Sequence, residues 1–289
     1  MKSFLVLVLL FVPFIDKPAY LIFNQKAKPG SYEELVKKAS KADIVLFGEL
    51  HNNPISHWLQ LELTKDLYAA KKQELVLGAE MFEADNQLVL SEYTQGRITT
   101  QQLESESKVW TNYKTDYKPL VDFAQDNKLS FIATNIPRRY ASIVSKKGLT
   151  GLTDLSDDAK KNIAPLPITV DLNLPGYAEM MKMGGMHGSG NMGGMSAENM
   201  ANAQAVKDAT MAHFILQNWK KGHIFLHFNG SYHSQNFEGI YWYLKKANPD
   251  LNIVTIATVE EQNLNQPKEV KENLATFTLA VPNTMTKTH

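Results

Sequence analysis

The stretch DIVLFGELHNN (43–53) joins an apolar run to ionisable residues at the point where the run stops. ELVLGAEMFE (74–83) and HIFLHFNGSYH (223–233) share this design. Such runs are typical of buried parallel strands, whose carboxyl ends meet at one edge of an open α/β sheet, where ligands bind. The sequence therefore predicts a site at that edge. The side chains expected there are Glu49, His51, Glu80 and His233.

Strand-like and helix-like patterns alternate along the chain. Residues 31–40 begin with the spacing of a capping box, and apolar residues in 54–71 recur mostly at helical intervals. This alternation predicts an α/β fold with a large, mostly parallel sheet flanked by helices and a smaller helical cap domain. We expect one α/β domain over residues 30–289, with the helical cap formed by about 84–118 and 150–215.

The composition excludes several classes of protein. Of the 289 residues 44% are hydrophobic and the formal net charge is zero, which indicates a packed core and argues against nucleic-acid binding and electrostatic membrane binding. Cysteine is absent, which excludes disulfides, thiol catalysis and cysteine-based zinc sites. The chain also has no Walker loop, G-x-G-x-x-G, G-x-S-x-G or H-E-x-x-H motif.

The first residues, MKSFLVLVLLFVPF (1–14), carry one lysine and then an almost unbroken apolar run. This run is too short to span a bilayer comfortably and has the length of the apolar region of a signal peptide. A buried first strand is the alternative. A largely polar stretch follows, so we expect a signal peptide over about residues 1–20 and export to the periplasm or the cell envelope.

Each residue at the predicted site also has a structural alternative. Glu49 and His51, two apart in an extended segment, point to the same side and suit acid–base chemistry or metal binding, but His51 also suits a backbone hydrogen bond at a helix start. Glu80 suits an ion pair with Arg138 or Arg139. A lone histidine such as His233 is more often structural.

The turn Asn135–Tyr140 leads from a predicted strand into a predicted helix. A helix N-terminus next to Arg138 and Arg139 suits a carboxylate or a phosphate. Tyr140 lies near the same opening, and a tyrosine phenolate is a known axial ligand of haem iron. From the sequence alone, an ordinary amphipathic residue with its hydroxyl in water is the better interpretation of Tyr140.

The segment EMMKMGGMHGSGNMGGM (179–195) is rich in methionine and glycine. Thioethers bind Cu(I) and also form adaptable apolar surfaces. Three interpretations stay open: a loop without a ligand, a loop that covers haem, and a copper site.

Several motifs together resemble the ChaN-like haem-binding lipoproteins of bacterial iron uptake. The similarity runs in order from about residue 40 to residue 260, and its motifs are GELHNN, GAEMFEADNQ, the Trp110–Leu120 stretch, ATNIPRR, AQAVKDATMAHFI and NGSYH. The resemblance implies a large parallel sheet with a smaller helical domain. It also implies haem held in a pocket shared by two subunits, with a tyrosine on the iron and polar side chains on the propionates.

The resemblance implies specific roles for residues of this chain. Tyr140 is the expected iron ligand, and Tyr177 is its rival. The candidates for the propionates are Arg138, Arg139, Lys146 and His187. The resemblance favours a binding or transport protein over an enzyme, with a homodimer on haem binding and an outer-membrane haem receptor as partners. The family's lipoproteins carry a cysteine after the signal sequence, and its absence here puts a lipid anchor in doubt.

Two other functions stay open. The wider superfamily includes hydrolase-like members with Glu and His at these strand ends, so an enzyme that uses Glu49, His51, Glu80 and His233 is the main alternative. Cu(I) binding by the Met/His segment is the lesser one.

Overall fold

A sheet of seven strands organises the residues that the structure, a computed structural model, describes: 16–186 and 196–289. The strands are β1 (Leu21–Asn24), β2 (Ile44–Glu49), β3 (Leu75–Glu83), β4 (Phe131–Asn135), β5 (Ile224–Gly230), β6 (Ile253–Glu261) and β7 (Phe277–Pro282). Their order is β1-β7-β6-β2-β5-β3-β4. All neighbours are parallel except β1, which runs antiparallel to β7. The predicted α/β fold with a mostly parallel sheet is confirmed.

Helices connect successive strands except β6 and β7, which a loop joins. They are α1 (Tyr32–Ala39), α2 (Pro54–Lys71), α3 (Gln87–Thr94), α4 (Thr100–Glu106), α5 (Lys118–Asp126), α6 (Arg138–Lys147), α7 (Asp157–Lys160), α8 (Pro175–Met186), α9 (Ala197–Asn218) and α10 (Ile240–Ala247). A π-helical turn, Tyr113–Tyr117, precedes α5. The capping box predicted at Ser31 is present, because its hydroxyl accepts from the Glu34 N–H and the Glu34 carboxylate accepts from the Ser31 N–H.

Both faces of the sheet are covered, which explains why β2 is apolar throughout. Val45 and Phe47 belong to the core formed with α1, α2, α3 and α5. Ile44 and Leu46 point to the opposite face, where α9 and α10 pack. With both faces covered, a ligand can reach the sheet only at an edge or at the strand ends.

Three elements have features that the sequence did not predict. Strand β1 was not predicted, because it has only four residues and its pairing partner, β7, is far away in sequence. Strand β3 continues past Glu80, where the apolar run stops, to Glu83, with a register shift against β4. Helix α9 has two environments: Ala201 and Ala205 pack with Tyr177 of α8, whereas its C-terminal part packs on the sheet. The predicted cap over 84–118 and 150–215 stays a prediction.

Residues 1–15, which carry most of the predicted signal sequence, lie outside the described residues. Among the helices within 16–186 and 196–289, none has the length and apolar character needed to cross a membrane.

Candidate functional site

A cavity of about 760 Å³ lies beyond the carboxyl ends of β2, β5 and β3, which are neighbours in the sheet. The structure brings together at this cavity the four residues predicted from the strand ends: Glu49, His51, Glu80 and His233. Other lining residues come from the surrounding helices and loops, among them Trp110, Arg138, Met180, Lys207, Tyr232 and His289. The convergence follows from strand order alone, whereas the roles of these residues stay predictions.

The buried carboxylate of Glu49 forms a pair with the partly exposed imidazole of His51. His51 Nδ1 lies 2.8 Å from Glu49 Oε1. The carboxylate is buried, and it also accepts hydrogen bonds from the Tyr117 hydroxyl at 2.7 Å and from Gln60 Nε2 at 2.5 Å. Burial opposes the charged form of His51, but the hydrogen bond to Glu49 and its charge outweigh this effect and raise the pKa of the imidazole. Glu49 therefore fixes both the orientation and the basicity of His51.

His233 is clamped between two buried carboxylates. Its Nε2 lies 3.1 Å from Glu80 Oε1, and its Nδ1 lies 2.5 Å from Asp208 Oδ1. Burial alone would lower the pKa of His233, but the two carboxylates raise it to about 10. The ring is therefore an imidazolium at neutral pH, with both of its nitrogens donating.

The pKa values of the two carboxylates of the clamp are shifted in opposite directions. Burial favours the neutral form of Glu80, but His233 and the Gly230 N–H, which donates to Oε2 at 2.8 Å, hold the pKa of Glu80 well below its usual range. Burial raises the pKa of Asp208 despite the donation from His233 and from the Tyr177 hydroxyl, at 2.6 Å. Glu80 is thus the firmly anionic partner of the imidazolium.

Gly230 separates the two pairs. A Cβ atom at this position would lie 2.9 Å from both Cε1 and Nε2 of His51 and 3.7 Å from Glu80 Oε2. Only glycine leaves room for His51 to lie against the backbone between the two carboxylates.

Glu80 and His51 have other partners than the structural alternatives from the sequence proposed. Glu80 pairs with His233, and no ion pair joins it to either arginine within the described residues. Arg139 instead pairs with Asp85 at 2.5 Å. His51 binds the Glu49 side chain through Nδ1, in place of the backbone contact considered from the sequence.

The two tyrosines singled out in the sequence are both buried. Tyr140 packs in an apolar cluster with Ile136 and Val144, and its hydroxyl accepts a hydrogen bond from Arg139 Nη2 at 3.1 Å. Tyr177 donates to Asp208, and burial raises its pKa above its ordinary value. Neither tyrosine is among the residues that line the cavity.

The residues predicted for the propionates are spread over several environments. Arg138 lines the cavity and also a second cavity of about 750 Å³. Arg139 lines only the second cavity, where its guanidinium lies over the Tyr140 ring, 4.3 Å from the centroid. Lys146 is exposed on α6, and His187 lies outside the described residues.

Strand-end reasoning missed the residues that come from helices and loops. Gln60 of α2, Tyr117 of the π-helical turn and Asp208 of α9 complete the two pairs. Tyr232, next to His233 in sequence, is the tyrosine that lines the cavity, and its hydroxyl donates to the Gly176 carbonyl at 2.7 Å. The one sequence signal for these residues is a polar residue on the otherwise apolar face of a helix. This pattern does not identify the residue to which the polar side chain hydrogen-bonds.

The described part of the chain gives no support for a metal site built from protein side chains alone. Within 16–186 and 196–289, no group of three or more His, Asp or Glu side chains is arranged to hold a metal ion. Most of the Met/Gly segment lies outside the described residues, including His187, Met192 and Met195. The copper interpretation therefore stays a prediction from the sequence.

Two comparisons relate the chain to known proteins. A structure of ChaN of Campylobacter jejuni, which shows cofacial haem binding, superposes with a TM-score of 0.68 at 16% identity, covering 91% of this chain and 97% of that chain. At this identity the likeness shows a shared fold. The chloroplastic protein RETICULATA-RELATED 5 of Arabidopsis thaliana is 28% identical over 124 residues, which are 41% of this chain and 17% of that protein's length.

The match to a family extends over most of the chain. Residues 35–244 match the model of the haem-binding uptake family ChaN of the Tiki superfamily. This range runs from α1 to α10 and includes β2, β3 and β5, whose ends form the cavity floor. The resemblance seen in the motifs is confirmed, and the chain belongs to the ChaN family of haem-binding uptake proteins.

Proposed function

We propose that this protein binds haem in the cavity at the sheet edge and serves in haem uptake. The observation that carries the proposal is that the family match covers the three strands whose ends form the cavity. Haem would be the cargo of this protein: its iron takes axial ligands, and its two carboxylates need cationic or polar partners.

The residues that line the cavity fit such a ligand. Trp110, Ile136 and Met180 offer apolar surface to a porphyrin face. Arg138 and Lys207 line the same space, and no ion pair within the described residues engages either of them. These two cations suit the propionates. The second cavity shares Glu83, Trp110, Arg138 and His289 with the first, so the two form adjoining spaces.

We propose a tyrosine as an iron ligand. Tyr140 is the choice from the motifs, with Tyr177 as its rival, and Tyr232 joins them because it lines the cavity. Each hydroxyl already has a partner: Arg139, Asp208 and the Gly176 carbonyl respectively. Burial raises the pKa of Tyr232 to about 12, so iron must displace its phenolic proton, as metals do on binding.

The test is a titration of the purified protein with haemin, followed by its absorption spectrum and gel filtration. We expect saturable binding with a tyrosinate-type spectrum. Single Tyr→Phe variants at 140, 177 and 232 identify the ligand as the one whose loss removes that spectrum. Tyr241→Phe is the matched control, because Tyr241 does not line either cavity. A wild-type protein without a saturable spectrum would remove the proposal.

The setting of this function is also proposed. We infer export to the periplasm or cell envelope from the apolar start of the chain, and we propose a haem-linked homodimer and an outer-membrane haem receptor as partners. Cell fractionation with an antibody against the protein tests the location. Recovery of the full-length protein in the cytoplasmic fraction alone would contradict export.

A second candidate function is a hydrolase, and the Glu49–His51 pair favours it. A buried carboxylate that orients an imidazole through Nδ1 is a common way to prepare a general base. Arg138 and Lys207, which line the same cavity, offer positive charge for a developing oxyanion. Ser231 does not suit the role of nucleophile, because its hydroxyl donates to the Thr258 carbonyl and accepts from the Thr258 N–H. Water would therefore attack.

A panel of activated esters tests this second function in haem-free protein. We expect turnover that Glu49→Gln and His51→Ala each reduce on the order of 100-fold. The control is His213→Ala, whose imidazole lies outside the cavity. No turnover by folded wild-type protein would count against this candidate without affecting haem binding.

A further inference from the structure

His57 is a buried histidine of α2 whose two ring nitrogens both face hydrogen-bond acceptors. Its Nδ1 lies 3.1 Å from Gln60 Oε1, and its Nε2 lies 3.1 Å from the His51 carbonyl oxygen and 3.4 Å from Asp116 Oδ2. The Gln60 amide cannot be turned round, because its Nε2 donates to Glu49 Oε2 and an ionised carboxylate only accepts. Each ring nitrogen of His57 therefore has to donate.

Two buried carboxylates flank this imidazole, one beside each nitrogen. Glu49 Oε2 lies 3.7 Å from Nδ1, Asp116 lies beside Nε2, and Tyr117 packs edge-to-face with the ring at 5.2 Å between centroids. Asp116 has no other cationic partner among the residues that the structure describes, and its Oδ2 accepts from Asn112 Nδ2 and the Thr288 hydroxyl, each at 2.6 Å. A buried carboxylate without a cation is costly, and a neutral imidazole would turn a lone pair towards one of these oxygens.

The hydrogen bonds of His57 form a closed cycle with those that orient His51. From His57 Nδ1 the cycle runs through the Gln60 amide to Glu49 Oε2. Glu49 Oε1 accepts from His51 Nδ1 at 2.8 Å, and the His51 carbonyl closes the cycle at His57 Nε2. One residue thus holds both the backbone of His51 and the carboxylate that orients its imidazole, which lines the cavity.

We propose that His57 is a positioning residue for His51: a buried imidazole, protonated on both nitrogens, that fixes the His51 backbone and, through the Gln60 amide, the orientation of its ring. This role deepens the second candidate function, in which His51 is the general base, and its catalytic consequence rests on that candidate. A general base has to lie within hydrogen-bond reach of the water that it deprotonates, so a displaced ring lowers the rate.

The first measurement needs neither a variant nor a ligand. Long-range proton–nitrogen NMR spectra distinguish an imidazole with one protonated nitrogen from an imidazole with two. At pH 7 we expect two protonated nitrogens at His57 of the haem-free protein and a proton on Nδ1 of His51. The variants His57→Gln and His51→Ala assign the signals. A nitrogen without a proton at His57 would overturn the proposal.

Variants of His57 test its hold on His51. His57→Ala removes both donors, whereas His57→Gln places an amide near the position of Nε2 and keeps a donor for the His51 carbonyl. We expect the His51 Nδ1–H signal to be lost in His57→Ala and recovered in His57→Gln. In ester turnover, His57→Ala should lower kcat on the order of 10-fold with KM unchanged. Leu63→Ala, which removes core packing from the same helix, is the matched control and should change stability alone.

The outcomes separate this role from both proposed functions. An unchanged His51 Nδ1–H signal in folded His57→Ala, or an equal loss of that signal in Leu63→Ala, would overturn the role whatever ligand the cavity binds. An equal kcat in wild type and His57→Ala would overturn it as well. Absence of ester turnover by the wild type would remove the hydrolase candidate, while the NMR spectra would still decide how His51 is held. If His57→Ala does not fold, the wild-type spectra and His57→Gln carry the test.

Discussion

Because of the His233 clamp, we expect the protein to become less stable as the pH becomes alkaline. The ordinary pKa of histidine is near 6.5, and the clamp raises that of His233 to about 10. Its stabilising contribution is therefore complete below about pH 6.5 and is lost as the pH rises through 10. We expect the free energy of unfolding of wild type to fall by on the order of 3 kcal/mol between pH 7 and pH 10.5. Urea unfolding at several pH values measures it.

His233→Asn provides the comparison for that measurement. Removing the imidazolium leaves Glu80 and Asp208 buried without a cation, which should cost about 3–5 kcal/mol near pH 7. Above pH 8 the variant lacks the group that titrates in wild type, so the two stability curves should approach each other. Curves that stay parallel up to pH 10.5 would show that His233 is not charged in the folded protein.

Gly230 has a steric role that a single methyl group tests. In Gly230→Ala the new Cβ would lie 2.9 Å from two ring atoms of His51, so the imidazole has to move away from the backbone. We expect a loss of about 1–3 kcal/mol in the free energy of unfolding, together with weaker haemin binding. Gly30→Ala is the matched control, since its nearest neighbour would be an ordinary contact at 3.4 Å. Equal effects of the two substitutions would contradict this account.

Helix α8 is held to the site by hydrogen bonds at its first turn. Tyr177 donates to Asp208, the Gly176 carbonyl accepts from Tyr232, and the Gly176 N–H donates to Glu238 Oε2 at 2.7 Å. The buried clamp and the helix above it are therefore one connected network.

Tyr177→Phe should loosen α8 more than it disturbs the sheet. The change removes one donor from the buried Asp208 carboxylate and should cost about 2 kcal/mol. Amide hydrogen exchange should accelerate in α8 and the first turns of α9, with β2 and β5 unchanged. The control is Tyr241→Phe, whose hydroxyl makes no hydrogen bond with the described residues. Unchanged exchange in α8 would show that the hydrogen bond does not hold the helix.

The sequence predicted the elements whose signal is local. The apolar runs of β2 and β5 and the capping box at Ser31 were predicted, because burial on both faces and helix capping leave marks within a few residues. Strand β1 was missed, since a four-residue edge strand owes its existence to its partner β7.

At the site, too, residues with a local signal were predicted, and residues placed by distant contacts were not. Strand order brings Glu49, Glu80 and His233 together, and strand ends are visible in the sequence. Asp208 and Tyr117 lie on helical elements 25 and 68 residues from their hydrogen-bond partners, and only tertiary packing decides where such side chains point. The sequence therefore predicted the side chains at the strand ends and missed the helical residues that hydrogen-bond to them.

The cavity at the strand ends is partly open. Its floor is formed by the strand ends and part of its wall by α8, α9 and His289, and its space of about 760 Å³ adjoins the second cavity. Binding sites usually bury most of their ligand's surface, and a flat porphyrin here would keep a face exposed. A second subunit can supply that cover, and a two-fold pair is the simplest arrangement because both partners use the same patch.

Haem should therefore shift the protein from monomer to dimer. If haem binds the dimer more tightly than the monomer, mass action favours the dimer as haem is added. Sedimentation of apo and haem-loaded protein at matched concentrations should give a mostly monomeric apo form and a dimeric loaded form. Arg138→Ala, which removes a cation from the wall common to both cavities, should weaken haem binding and dimerisation together, whereas Lys161→Ala, on an exposed ion pair outside both cavities, should change neither. Identical masses for saturated and apo wild type would refute the coupling, and haem binding would stand.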